Sequence, residues 1–174
     1  MARRQTMIRA AAVALLAAGV NAQAAPDFSG KWTLVPDAPA EGVDSRPGTM
    51  GSGWGAAITV TQDATTLTVE YQPYVTYDMQ RPLKFVYLLN GPESRNTINT
   101  GRGPQDQISK VAWAGSSLVI TTTHSFRNPQ SGETNASETR QVLSLESPAL
   151  LRVETTRSGV MGGPASTTTT KYRK

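Results

Sequence analysis

Few side chains in this chain could carry out chemistry. His124 is the only histidine, cysteine is absent, and the 13 Asp and Glu residues are scattered along 174 positions. The absence of cysteine removes thiolate nucleophiles, thiolate metal sites and disulfides together. No second histidine or thiol stands by to complete a metal site around His124, so no metal and no cofactor is expected. That leaves His124 three roles: a hydrogen-bonded imidazole at a strand end, a polar contact inside a pocket, or a lone axial ligand to a metal or haem. A serine triad would have to use it, yet no Gly-x-Ser-x-Gly elbow marks a nucleophile. Paired carboxylates for glycoside chemistry are defined by distance in space, and spacing along the chain does not locate them. Gly101-Arg102-Gly103 is too short for a phosphate cradle, because neither a helix nor a Lys-Ser/Thr pair follows it. No catalytic residue is therefore named; an enzyme would need an activity that His124→Ala removes.

Residues suited to binding are more numerous. Tyr71, Tyr74, Tyr77 and Tyr87 place phenols along neighbouring extended segments, with apolar bodies and polar tips. Such residues line small-molecule sites and also cover ordinary β cores. Tyr71 and Tyr77 share a face of a regular strand, and Tyr74 lies opposite unless Pro73 introduces a bulge. Trp54 stands between Gly53 and Gly55 at the end of a long Pro- and Gly-rich stretch, either as a lid over an opening or as the anchor of the next strand. The candidate ligand-binding set is Trp54, Tyr71, Tyr87 and His124.

The segments that must position these residues read as strands throughout. Thr, Val, Ser, Leu and Tyr recur in short runs punctuated by Gly and Pro, and no mature window shows a 3.6-residue apolar period. Strands are expected at Ser29–Val35, Ala57–Gln62, Thr66–Tyr77, Leu83–Leu89, Ile108–Ala114, Ser117–Phe126, Glu138–Glu146, Leu150–Arg157 and Ser166–Arg173, about nine within a range of eight to ten. Short turns at Asp63-Ala64-Thr65, Gly115 and Ser147-Pro148-Ala149 join three consecutive hairpins. Alternation is one-sided, as in Ile58 and Val60 against Thr59 and Thr61, so one face is buried and one is wet. Consecutive hairpins favour an all-β, antiparallel up-and-down barrel over a Greek-key sandwich. Residues 36–54 form a long connection without periodicity. Leu83–Leu89 is apolar on both faces apart from Lys84, so it is either covered twice or a contact surface, for instance in a weak homodimer.

The first 24 residues follow a different logic. Arg3, Arg4 and Arg9 give a charged start, Ile8–Val20 is a short apolar run, and Ala22-Gln23-Ala24 supplies the small residues read by a signal peptidase. A cleaved signal over 1–24 and a single mature domain over 25–174 are expected, with a periplasmic or secreted location. A retained anchor is the alternative, although the apolar run is short of the ~20 residues of a membrane span. Of the 17 Lys and Arg, three fall in that leader, which leaves 14 against 13 acids in the remainder. Nucleic acid is not an expected partner of so balanced a surface. About 150 mature residues can bury roughly 70% of their unfolded surface without staples.

Phe28-Ser29-Gly30-Lys31-Trp32-Thr33-Leu34 resembles the Gly-x-Trp opening of calycin β-barrels such as lipocalins, fatty-acid-binding proteins and avidins. With the Lys171-Tyr172-Arg173-Lys174 tail, it is closer still to small secreted lipocalin-like bacterial proteins. The resemblance implies that Trp32 plugs the closed end of a barrel, with Lys171 or Arg173 over its ring, and that the other end opens on a cavity. The lipocalin disulfide and C-terminal helix signal are missing. The expected function is binding of a small apolar or aromatic ligand. The alternative is a filled barrel acting as an envelope or protein-interaction module, and cavity volume separates the two.

Overall fold

The computed structural model describes residues 25–36, 52–72, 82–100, 103–127, 132–158 and 164–174. The expected signal (1–24), Tyr74, Tyr77 and most of the 36–54 connection lie outside these residues. Ten strands are present: β1 (Gly30–Leu34), β2 (Ala57–Gln62), β3 (Thr66–Tyr71), β4 (Leu83–Leu88), β5 (Ser94–Thr100), β6 (Gly103–Ala114), β7 (Ser117–Arg127), β8 (Thr134–Ser147), β9 (Leu150–Arg157) and β10 (Ser166–Arg173). They form one sheet in the order β4-β3-β2-β1-β10-β9-β8-β7-β6-β5, with every pairing antiparallel. The fold is an up-and-down β-barrel, nearly closed, with no helix among the described residues.

Side-chain parity explains the curvature. Ile58, Val60, Leu67, Val69, Leu118, Ile120, Leu143, Leu151 and Val153 alternate with Thr, Glu, Arg and Ser, and all of them are buried on the inner face. Each such aliphatic side chain contributes about 1.5–3 kcal/mol on leaving water. The inner face also changes character along the barrel. The row Trp113–Leu118–Leu143–Val153 is apolar; the row Ser109–Thr122–Thr139–Arg157 and the row Gln107–His124–Ser137 beyond it are polar.

β5, Gly103–Gln107 of β6 and Thr134–Ser137 of β8 were not expected as strands. Their inner positions include Ser94, Asn96, Ile98, Gln105, Gln107 and Ser137, with a single aliphatic residue among them, so they carry no apolar alternation to read. They are strands because their backbones complete the ladder, and their polar side chains face the interior.

The two sheet edges, β4 and β5, are consecutive in the chain, but their backbones form no ladder. The seam is closed by side chains instead. The Val86 N–H donates to Asn96 Oδ1 at 2.8 Å and Asn96 Nδ2 donates to the Val86 carbonyl at 3.1 Å, while the Leu88 N–H donates to Ser94 Oγ at 2.7 Å. The Asn96 carboxamide thus stands in for a peptide group of a neighbouring strand. On β4, Phe85 and Tyr87 point inward and are buried, whereas Lys84 and Leu88 are exposed and Val86 is half-buried.

At one end the strands are joined by short turns: Asp63 to Thr65, Leu89 to Glu93, Gly115-Ser116 and Pro148-Ala149. Asp63 accepts from the backbone N–H and hydroxyl of both Thr65 and Thr66. This end is stoppered by aromatic rings. Trp32 is buried with its indole N–H on the Phe28 carbonyl at 2.9 Å, and Phe28 stacks on Trp113 at 6.1 Å. The cation over Trp32 is Lys174, with Nζ 4.9 Å from the ring centroid. It is neither Lys171 nor Arg173, as the resemblance implied; Lys171 pairs with Glu146 at 2.9 Å. Parity decides this: Tyr172 faces inward, so Lys174 lies on Trp32's side and the odd-numbered residues do not. Gly30 holds φ +149°, and a Cβ there would meet Lys174 Cε at 2.5 Å, so the Gly of Gly-x-Trp clears the path of the lysine stem.

Candidate functional site

The opposite end holds a cavity of about 420 Å³. β3 and β4 build one wall from rings. Tyr71 and Phe85 are 5.8 Å apart and tilted by 7°, and Phe85 and Tyr87 are 6.4 Å apart and tilted by 11°. Three near-parallel rings arise because Tyr71 ends β3 beside Leu83, one inward step from Phe85. Ile98 of β5 extends this wall. The facing wall comes from β6 to β9: Gln105 and Gln107, Thr122 and His124, Thr139 and Gln141, and Arg157 with Glu138 and Ser158 near the rim. Ser109 and Thr122 share a hydrogen bond of 2.8 Å beneath it, and that pair marks the boundary with the apolar core.

Between the walls the segment Ser52–Gly55 turns into the barrel. Ser52 and Trp54 are buried, and Gly53 (φ +86°) and Gly55 (φ +77°) occupy backbone that other residues rarely adopt. The segment is held on several sides. Gln141 Nε2 donates to the Ser52 carbonyl at 2.5 Å, the Ser52 and Tyr172 hydroxyls are hydrogen-bonded, and the Tyr172 hydroxyl donates to the Gly55 carbonyl at 2.8 Å. The Trp54 backbone N–H donates to Ser52 Oγ at 3.2 Å, and the Trp54 side chain hydrogen-bonds Tyr87. Trp54 is thus an inserted ring lining the cavity just before β2 begins at Ala57.

Burial sets the protonation of the site. Tyr71, Tyr87 and Tyr172 are all pushed above the ordinary phenol range by loss of water, so they remain neutral donors and acceptors. His124 is lowered below its ordinary value, first by burial and then by the Arg157 guanidinium, so its ring is neutral at pH 7. One ring nitrogen then donates and the other accepts.

Trp54, Tyr71, Tyr87 and His124 all line this one cavity. Sequence reasoning passed over Phe85, Gln105, Gln107, Thr122, Gln141 and Arg157. The available signal was parity: Thr155 and Arg157 continue the inward phase of Leu151 and Val153 on β9, and Thr122 and His124 that of Leu118 and Ile120 on β7. Among the described residues no group of three His, Cys, Asp or Glu comes together as a metal site, and no helix is long and apolar enough to cross a membrane. No protein-family model matches the chain, and no curated protein matches its sequence. The nearly closed antiparallel barrel is compatible with a lipocalin-like fold.

Proposed function

We propose that this is an exported protein that binds a small molecule in the open end of its barrel. The observation that carries the proposal is the cavity: about 420 Å³, within the 300–1,000 Å³ typical of ligand sites, with an aromatic wall facing a wall of hydrogen-bonding groups. A filled barrel acting only as an interaction module would have no use for a cavity with a polar wall. Export is supported by the charged, apolar, small-residue order of residues 1–24.

Native mass spectrometry of the protein purified gently from its own host tests this. The expected result is a reproducible excess mass that disappears on denaturation. A bare protein whose melting temperature no small molecule raises would refute it, because a ligand of the native state must stabilise by RT ln(1 + [L]/Kd). A bare dimer would instead direct attention to Lys84, Val86 and Leu88 on the outer face of β4.

A further inference from the structure

The geometry points to the class of ligand: a flat, uncharged ring system with hydrogen-bonding atoms along one edge, rather than a fatty chain. This rests on the binding function proposed above and narrows it. Each wall contributes a separate constraint. Phe85 is tilted by 7° from Tyr71 and by 11° from Tyr87, so the wall is a row of aligned rings that suits a flat aromatic guest better than a bulky or branched one. The opposite wall does not suit hydrocarbon. Gln105, Gln107 and His124 border the cavity with amide and imidazole groups, whereas the Thr122 hydroxyl is already bonded to Ser109. A fatty chain would strip water from these groups and return no hydrogen bond, a cost that grows with each group covered. A ring edge carrying both donors and acceptors replaces that water, because each of these side chains can both donate and accept.

Charge narrows the class further. The formal charges on the lining are Arg157 and Glu138, of opposite sign and on neighbouring strands β9 and β8. Arg157 is already engaged by another residue of the protein. Further along, Gln105, Gln107, Thr122 and Gln141 are uncharged, and His124 is held neutral by its burial and by Arg157. An anionic guest would have to leave water beside a guanidinium that is already engaged, and a cationic one would meet Glu138, which is exposed to water. A charge carried into the cavity therefore stays largely unpaired, the costlier error.

The test uses the wild-type protein at pH 7.5 with four probes: adenine and nicotinamide (flat, neutral, polar-edged), naphthalene (flat, without a polar edge) and dodecanoate (a chain with a charged head). Quenching of tryptophan fluorescence reports binding, since Trp54 lines the cavity, and the melting temperature gives an independent reading. Adenine or nicotinamide is expected to bind at least about tenfold more tightly than naphthalene or dodecanoate. Gln107→Leu and His124→Leu are each expected to narrow or reverse that preference. Tighter binding of naphthalene or dodecanoate to the wild type would overturn the assigned class and leave the binding function standing. No response to any of the four, by either readout, would overturn the assigned class, and the native mass measurement above would then decide separately whether the binding function stands.

Discussion

Thr155 is a fully buried side chain whose hydroxyl has no hydrogen-bond partner among the described residues. It sits on β9 opposite Gln141, whose amide is committed to the Ser52 carbonyl. An orphaned hydroxyl costs about 1–3 kcal/mol of lost hydration. Thr155→Val keeps the shape and removes that cost, so it is expected to raise stability by about 1 kcal/mol, which a urea midpoint would show. An unchanged or lower midpoint would mean that the hydroxyl is satisfied. Asp63 and His124 make a second pair of residue-scale tests. The Asp63 carboxylate, held well below the ordinary range by the N–H and hydroxyl groups of Thr65 and Thr66, contributes stability above pH 4. That contribution is lost as pH falls through the folded value. His124 is also lowered on folding; the unfolded ring takes up its proton first, so stability is full above pH 6.5 and declines below it. In a plot of urea midpoint against pH, Asp63→Asn is expected to flatten only the branch below about pH 4, and His124→Gln only the branch from about pH 6.5 downward. The turn role of Asp63 was legible in Asp63-Ala64-Thr65, since a short acceptor followed by turn residues has a local mechanism. The state of Thr155 was not, because it depends on what Gln141 does across the barrel.

At the scale of elements, the weakest junction is the β4–β5 seam, where three side-chain hydrogen bonds replace a backbone ladder. Asn96→Leu would strand both the N–H and the carbonyl of Val86. A loss of about 2 kcal/mol is expected, with a drop in melting temperature of about 4–8 °C. Asn96→Asp, which keeps the acceptor and loses the donor, should fall between the two. Wild-type melting in Asn96→Leu would show that the seam is held by packing alone. The same chemistry explains which strands were legible. Ala57–Gln62, Leu150–Arg157 and Ser166–Arg173 match the expected limits, because apolar alternation or a run of β-branched residues marks them. Ser94–Thr100 (SRNTINT) has Ile98 as its sole aliphatic residue, and its inward Ser94 and Asn96 close the seam. Gly103–Gln107 and Thr134–Ser137 likewise add polar inner positions near the cavity. Hydrophobic periodicity reports contact with an apolar core, so it is silent wherever a strand faces a polar interior. The polar wall therefore hid both itself and the strands that carry it, whereas Trp54, Tyr71, Tyr87 and His124 stood out by residue type.

The molecule as a whole has two unlike ends. Phe28, Trp32 and Trp113 fill one; rings and hydrogen-bonding groups border a space at the other. Its strand order also has an unusual phase. The pairing distant in sequence is β1 with β10, Thr33 beside Arg173, and every other ladder joins consecutive strands. The one gap in the barrel falls instead between neighbours in the chain, beside the turn at Asn90-Gly91. This placement has a kinetic consequence. Strand pairs close in sequence can zip from their turns, but β1 and β10 must find each other across the whole domain, and that loop closure slows folding. A chain reopened at Asn90-Gly91, with Lys174 linked to Ala25 through a short flexible segment, would turn the one distant pairing into a local one and leave its new ends at the existing gap. It should reach the same barrel faster than the natural order does, with unfolding rates little changed, and stopped-flow refolding of the two chains would show the difference.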